Sequence, residues 1–194
     1  MTAIIGHRST IAKAYRSLID DQGIGFRIEA TPLDWTEYLI CMGYLAGKQV
    51  EDLTSDEIDL TWHKNFALIA TFCDELFARN DSARVCIITS ESGYAGSYDL
   101  AYAGAKAAMN LYIERKQLRT PAQQLVGIAP TVIRDSGMTN RRQDIALCDM
   151  RGAARRRGRW LSAMEVARVA HFVLHGDTDA AICNTVIRVT GGNS

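Results

Sequence analysis

The chain has 194 residues, enough for one domain with a substantial core. Its 22 Lys and Arg balance its 22 Asp and Glu, so no global charge draws it to a nucleic acid or a membrane surface. No apolar run approaches a membrane span, and the start M-T-A-I-I-G shows no signal peptide. The scattered Cys41, Cys73, Cys86, Cys148 and Cys183 form no C-x-x-C pair, which predicts a reduced cytoplasmic protein with neither disulfides nor a zinc knuckle.

In chain order, residues 2–6 predict a short apolar strand. Residues 9–20 carry apolar side chains at 11, 14, 15, 18 and 19, a helical period capped by Ser9 or Thr10 and broken by Gly23 and Gly25. Residues 25–30 predict a brief second strand, and residues 38–43 a buried one in which Cys41 is a small core residue. Residues 55–79 combine an acidic start with a long amphipathic helix. R84-V-C-I-I-T-S90 reads as a buried strand running into a serine, and a helix carries Tyr102 to about Lys116. Then come a strand at 125–129, a loop at 130–139, an Arg-rich segment, a helix from Ala163 and a last strand at 185–190. Strands and helices alternate and the strands are continuous apolar runs. This predicts a single α/β domain over residues 1–194, with a Rossmann-like, doubly wound parallel sheet of about six strands covered on both faces. Residues 1–50 form its nucleotide-binding half and residues 55–194 its catalytic half.

The chemistry concentrates in S90-E-S-G-Y-A-G-S-Y-D-L-A-Y102-A-G-A-K106. Tyr102 and Lys106 are four residues apart on a helix and share one face. An ammonium beside a phenol favours phenolate and lowers the tyrosine pKa. That makes a proton donor or acceptor for interconverting a carbonyl and an alcohol. The preceding strand delivers the Ser90 hydroxyl to the same spot. The four-residue spacing taken alone also describes a surface lysine one turn from a packed tyrosine.

This strand–Ser–loop–Tyr-x-x-x-Lys arrangement resembles the short-chain dehydrogenase/reductase family, and further segments match it in order. Y38-L-I-C-M-G43 is similar to the strand ending in Asn-Ala-Gly, with Cys41 in place of Asn. Asn65 matches the helix asparagine that holds a water of the proton relay. S90-E-S-G matches Ser-x-x-Gly, although the loop to Tyr102 is one residue short and leaves Ser92 as a second candidate. The loop from Pro130 is similar to the Pro-Gly loop that meets the nicotinamide, and V189-T-G-G to the C-terminal Val-Asp-Gly-Gly.

The resemblance implies an NAD(P)-dependent oxidoreductase that transfers hydride between a nicotinamide and a small-molecule carbonyl or alcohol. Tyr102 would be the general acid or base and Ser90 would orient the substrate oxygen. Lys106 would depress the tyrosine pKa and hold the ribose, and Asn65 would support a water. Gly6, Arg8, Ser9, Thr10, Ile11, Met42, Gly43, Tyr102, Lys106, Pro130 and Ile133 would line the cofactor. No metal is implied: His7, His63, His171 and His175 have no ligand spacing.

Two departures open an alternative. In I5-G6-H-R-S-T10-I-A12, Thr10 and Ala12 stand where the family has glycines that admit pyrophosphate and pack the helix. Between Glu29 and Tyr38 there is no room for helix–strand–helix, since parallel crossovers need a dozen or more residues. The fold is therefore expected to be truncated, with one outer strand missing and the adenine side open. Asp34 is a candidate adenine contact or a solvated loop residue. The alternative is an SDR-like scaffold, catalytically impaired or regulatory, with weak or no dinucleotide binding. Arg8 either favours NADP over NAD, through a guanidinium fork suited to phosphate, or is a surface arginine that leaves NAD open.

From about 134 to 160 the chain carries Arg134, Arg141, Arg142, Arg151, Arg155, Arg156, Arg157 and Arg159, where the family has its substrate lid. A lid whose arginines pair with acids is the first reading, attraction of an anionic substrate the second and nucleic acid a distant third. Tyr94 and Tyr98 line the substrate pocket or pack the loop. Met42, Met109 and Met138 fill core or pocket. The helices at about 61–79 and 102–116 correspond to the family's four-helix interface. Phe66, Ile69, Phe72, Phe77, Met109 and Tyr112 are candidates for the surface of a homodimer or homotetramer.

Overall fold

A computed structural model describes residues 1–20, 23–140, 145–154, 157–176 and 181–191. Six strands form one sheet: β1 (Thr2–Ile5), β2 (Ile24–Phe26), β3 (Glu37–Ile40), β4 (Arg84–Ile88), β5 (Gln124–Pro130) and β6 (Thr185–Val189). Their order is β2-β1-β3-β4-β5-β6, and every neighbouring pair is parallel. The burial is what a doubly covered sheet requires: β1 and β5 are buried at every position. The chain passes from β1 to β2 on one side and returns to β3 on the other. The crevice outside the carboxyl ends of β1 and β3 is thus the topological switch point, where open α/β sheets take their ligands.

One face is covered by α1 (Thr10–Arg16) and α8 (Ala163–His175), through Ile11, Ala12, Tyr15, Val166 and Ala170. The other is covered by α3 (Leu68–Arg79) and α5 (Leu100–Arg115). A shorter helix, α2 (Ser55–Trp62), begins with a Thr54–Glu57 capping box and runs through a π-turn, His63–Ala67, directly into α3. The remaining helices are α4 (Ser92–Ala95), α6 (Gly137–Asn140) and α7 (Ile145–Ala153). The 130–139 segment, expected as loop, therefore contains the start of α6.

The sheet is as narrow as the sequence predicts. Between β2 and β3 there is one 3-10 turn, Ile28–Ala30, and no helix. Side chains of this connection cover the sheet where a helix would lie. Ile28 is buried, Leu33 and Trp35 pack on the same core, and Trp35 stands edge-on to Phe26 at 5.4 Å. Asp34 is carried to the amino ends of the strands, into a groove of about 430 Å³ shared with Leu33, Arg79, Asn80 and Asp81. The groove lies at the opposite end of the sheet from the Gly6 turn, so Asp34 is far from that turn.

Of the six residues expected on a partner surface, four are core: Ile69, Phe72, Phe77 and Met109 are buried, and Phe66 and Tyr112 pack on the same cluster. The exposed apolar side chains of this face are Leu60, Trp62, Leu100 and Leu111. No helix among the described residues is long and apolar enough to cross a membrane.

Candidate active site

The turn after β1 is set by Gly6. Its φ is +79°, and a β-carbon there would stand 2.7 Å from the Met42 nitrogen and 2.8 Å from the Cys41 carbonyl carbon. Only glycine lets the turn press this closely on the end of β3. The Ser9 N–H closes the turn on the Gly6 carbonyl at 3.0 Å, and Ser9 Oγ caps α1 by accepting from the Ala12 N–H at 3.1 Å. Ser9 is thus the cap, and Thr10 is the first helical residue. The Ile11 side chain and Ala12 are buried against the sheet, so Ala12 fills the helix-packing position without strain. Arg8 is exposed. So is Arg27, which follows the last residue of β2 and sits on the neighbouring strand of the turn.

Across the crevice, Ser90, Tyr102, Lys106, Asn65 and Gly43 come together. Ser90 lies just beyond β4, with its Oγ accepting from the Ser92 N–H at 3.1 Å and its hydroxyl near enough to the Tyr102 phenol to favour the phenol's charged form. Ser92, the second candidate, opens α4. Gly93 lets the serine loop dock on α5: a β-carbon there would lie 2.9 Å from the Ala107 nitrogen and the Lys106 carbonyl carbon. Buried Asp99 caps α5 by accepting from the Tyr102 N–H at 2.9 Å, and its other oxygen accepts from the Gly47 N–H at 3.3 Å. An aspartate just before an apolar helical run is a capping signature.

Lys106 is buried beneath the crevice. Its Nζ donates to the Ile88 carbonyl at 3.4 Å and stands 5.7 Å from the Tyr102 ring centroid. A β-carbon on exposed Gly43 would meet Asn65 Oδ1 at 3.1 Å, Met138 Cε at 3.4 Å and Lys106 Nζ at 3.7 Å. Asn65 lies in the π-turn, fully buried. Its Nδ2 donates to the Tyr44 and Thr61 carbonyls, both at 2.8 Å, and its Oδ1 accepts from the Tyr44 N–H at 3.1 Å. Both donors are spent, so the side chain locks the backbone after β3 instead of offering a donor to a water.

The electrostatics correct the expected lysine effect. Burial raises the Tyr102 phenol above its ordinary 10.0, opposed by the Ser90 hydrogen bond and reinforced by Asp99 and Tyr98. Lys106 stands over the ring, 5.7 Å from its centroid, and the net direction of the phenol is upward. Burial pulls Lys106 itself down to about 8, with Cys41 opposing. Cys41, just past β3, is pushed up to about 12 by burial, with a Ser9 hydrogen bond and Lys106 pulling down. At neutral pH the site holds a neutral phenol and a charged amine.

Pro130 ends β5, and its carbonyl accepts from the Glu91 N–H at 2.9 Å. Ile133 is buried and pairs with Leu161, and Met42 packs on the core beside the crevice. Tyr98 approaches the loop at Gly47, whereas Tyr94 is turned outward, 42% exposed. Of the arginines between 134 and 160, Arg134 pairs with Asp149 at 2.7 Å, and Arg157 and Arg159 both reach Glu165, at 2.8 and 2.9 Å. Arg151 is exposed, and Arg141, Arg142, Arg155 and Arg156 lie outside the described residues. The paired arginines support the first reading of this segment.

No protein-family model matches the sequence, and no curated protein is recognisably similar to it. Solved structures are similar in fold. The ligand-free aldohexose dehydrogenase of Thermoplasma acidophilum superposes with a TM-score of 0.83 at 14% identity, over 99% of this chain and 93% of that one. A short-chain dehydrogenase/reductase family oxidoreductase from Burkholderia thailandensis gives 0.79 at 16% identity, over 99% and 93%. The 3-oxoacyl (acyl-carrier-protein) reductase of Agrobacterium tumefaciens C58, with NADP bound, gives 0.79 at 18% identity, over 98% and 93%. The chain has the short-chain dehydrogenase/reductase fold.

Proposed function

We propose that this protein is an NAD(P)-dependent oxidoreductase that interconverts a small-molecule carbonyl and its alcohol. The observation that carries this reading is the meeting of the Ser90 hydroxyl, the Tyr102 phenol and the buried Lys106 ammonium at the switch-point crevice of this fold. The residues fit a dinucleotide. Gly43 keeps the crevice open above Lys106, and the Gly6 turn brings Ser9 to its other wall. A bound nicotinamide would supply or accept the hydride. Tyr102, protonated at neutral pH because its burial disfavours phenolate, gives its proton to the substrate oxygen in the reduction direction and takes it back in oxidation. Ser90 holds that oxygen, and Lys106 places a positive charge against the Tyr102 ring and would hold the nicotinamide ribose. Asn65 positions the Gly43–Tyr44 backbone.

NADP is the preferred dinucleotide in this reading, since Arg8 and Arg27 are exposed beside the turn where a 2′-phosphate would lie. The open adenine side and Thr10 favour the second reading, a scaffold that binds dinucleotides weakly. The partner is a second copy, docked through Trp62, Leu100 and Leu111. Trp62 packs against Gly104, whose stripe on α5 includes Leu100 and Leu111. The test is NADPH and NADH binding by fluorescence, followed by NADPH oxidation with a panel of aldehydes and ketones. Binding with turnover supports the enzyme, and no binding of either dinucleotide at millimolar concentration supports the scaffold.

A further inference from the structure

Ser90 follows β4 and belongs to no regular element, so its hydroxyl depends on how its neighbour is anchored. The Glu91 N–H docks on Pro130 of β5 at 2.9 Å. The Glu91 side chain continues over β5 to Arg188 on β6. Strands β4 and β6 flank β5 and lie about 10 Å apart, a span these two long side chains close together. Arg188 Nε donates to Glu91 Oε2 at 3.0 Å and its Nη2 bonds the other carboxylate oxygen, a bidentate fork. The guanidinium also lies over the Tyr94 ring, 4.9 Å from its centroid. The Tyr94 hydroxyl in turn donates to Glu114 at 3.2 Å, on the helix that carries Tyr102 and Lys106. The contacts thus tie the last strand, the serine loop, α4 and α5 together. An exposed ion pair contributes little. Here the Glu91 side chain is only 14% exposed, against 49% for Arg188, and the pair is forked and backed by a ring.

We infer that Glu91 and Arg188 are positioning residues for Ser90, holding the serine loop where its hydroxyl meets the Tyr102 phenol. The inference rests on the reading of Ser90, Tyr102 and Lys106 as the reacting site. The competing account is that the pair only staples β6 to the sheet.

The test is the carbon-13 signal of the Tyr102 Cζ in tyrosine-labelled protein, assigned with Tyr102→Phe, because this carbon senses the hydrogen bond to the phenol oxygen. Ser90→Ala supplies the reference displacement. Arg188→Gln is expected to move the signal the same way by at least half as much. Ser90→Ala combined with Arg188→Gln is expected to move it no further than Ser90→Ala alone, and Arg188→Lys, which keeps the charge without the fork, should fall between wild type and Arg188→Gln. If Arg188→Gln fails to fold by circular dichroism, Arg188→Lys carries the comparison. A signal left at its wild-type position in the Arg188 variants, while Ser90→Ala moves it, overturns the positioning role alone. A signal that Ser90→Ala also leaves in place overturns the site reading and this inference with it.

Discussion

The Lys106 ammonium lies over the face of the Tyr102 ring, 5.7 Å from its centroid, while the Ser90 hydroxyl is the neighbour that opposes the upward pull of burial on the phenol. The phenol therefore rests protonated, and the serine is the neighbour that stabilises its charged form. Tyr102→Phe should lower turnover by roughly 10²–10⁴-fold while leaving NADPH affinity within a few-fold of wild type. Steady-state NADPH oxidation and a fluorescence titration on the same samples check this; an active Phe variant removes the proton role.

Lys106 links stability to pH. Its pKa falls from 10.5 to about 8 on burial, so between those values the folded chain binds fewer protons than the unfolded chain. Its contribution therefore makes stability rise with pH through that window, and the whole cost, about 3 kcal/mol, is present below it. Lys106→Met should melt higher than wild type near pH 7, the gap closing toward pH 10, and should be inactive. Thermal melts at the two pH values decide the stability claim. Wild-type activity should fall above about pH 8 as the ammonium loses its proton.

Gly6→Ala places a β-carbon against the Met42 nitrogen at a φ of +79°. The strain costs about 1–3 kcal/mol and pushes the turn away from β3. Denaturant unfolding should show that loss, and dinucleotide binding should weaken with it. A variant as stable as wild type would mean that the turn relaxes.

Arg8→Ala and Arg27→Ala should each reduce NADPH affinity about tenfold and leave NADH affinity unchanged. Calorimetry with both dinucleotides separates a phosphate contact from a general loss of positive field, which would weaken both.

Leu111 is 57% exposed and Trp62 39%. Leu111→Glu should convert a dimer into a monomer in multi-angle light scattering. A monomeric wild type at micromolar concentration rules this surface out.

Much of the architecture was legible because buried parallel strands leave continuous apolar runs, and Val85 to Ile88 or Leu125 to Ala129 can hardly be anything else. The truncation was legible from length, since too few residues separate β2 from β3 to build a helical crossover. Element ends were less so. The first helix stops at Arg16, and β3 stops at Ile40, leaving Cys41 to Gly43 as the crevice wall. The serine–tyrosine–lysine set was visible from spacing, but the direction of the tyrosine shift was not. Spacing places Lys106 near Tyr102 without saying whether it meets the ring or the hydroxyl. Apolar identity alone likewise could not separate Phe72 and Met109, which are core, from Leu111, which is surface. Pairs that join distant segments, such as Glu91 with Arg188, leave no trace in a single sequence.

The π-turn at His63–Ala67 constrains how this chain can change. A π-turn holds one residue more than the α-helical turn it replaces, and here the Leu68 N–H reaches back five residues to the His63 carbonyl. Deleting Lys64 would let the helix regularise at little cost to its own hydrogen bonding. The helices on either side would keep their phase, because the widened turn had absorbed the extra residue, and only the residues of the turn would reorient. Asn65 is one of them, so the side chain that grips both the N–H and the carbonyl of Tyr44 would lose part of its footing. The extra residue thus sets where Asn65 points, and its loss should leave a well-folded helix with a disordered wall at the crevice.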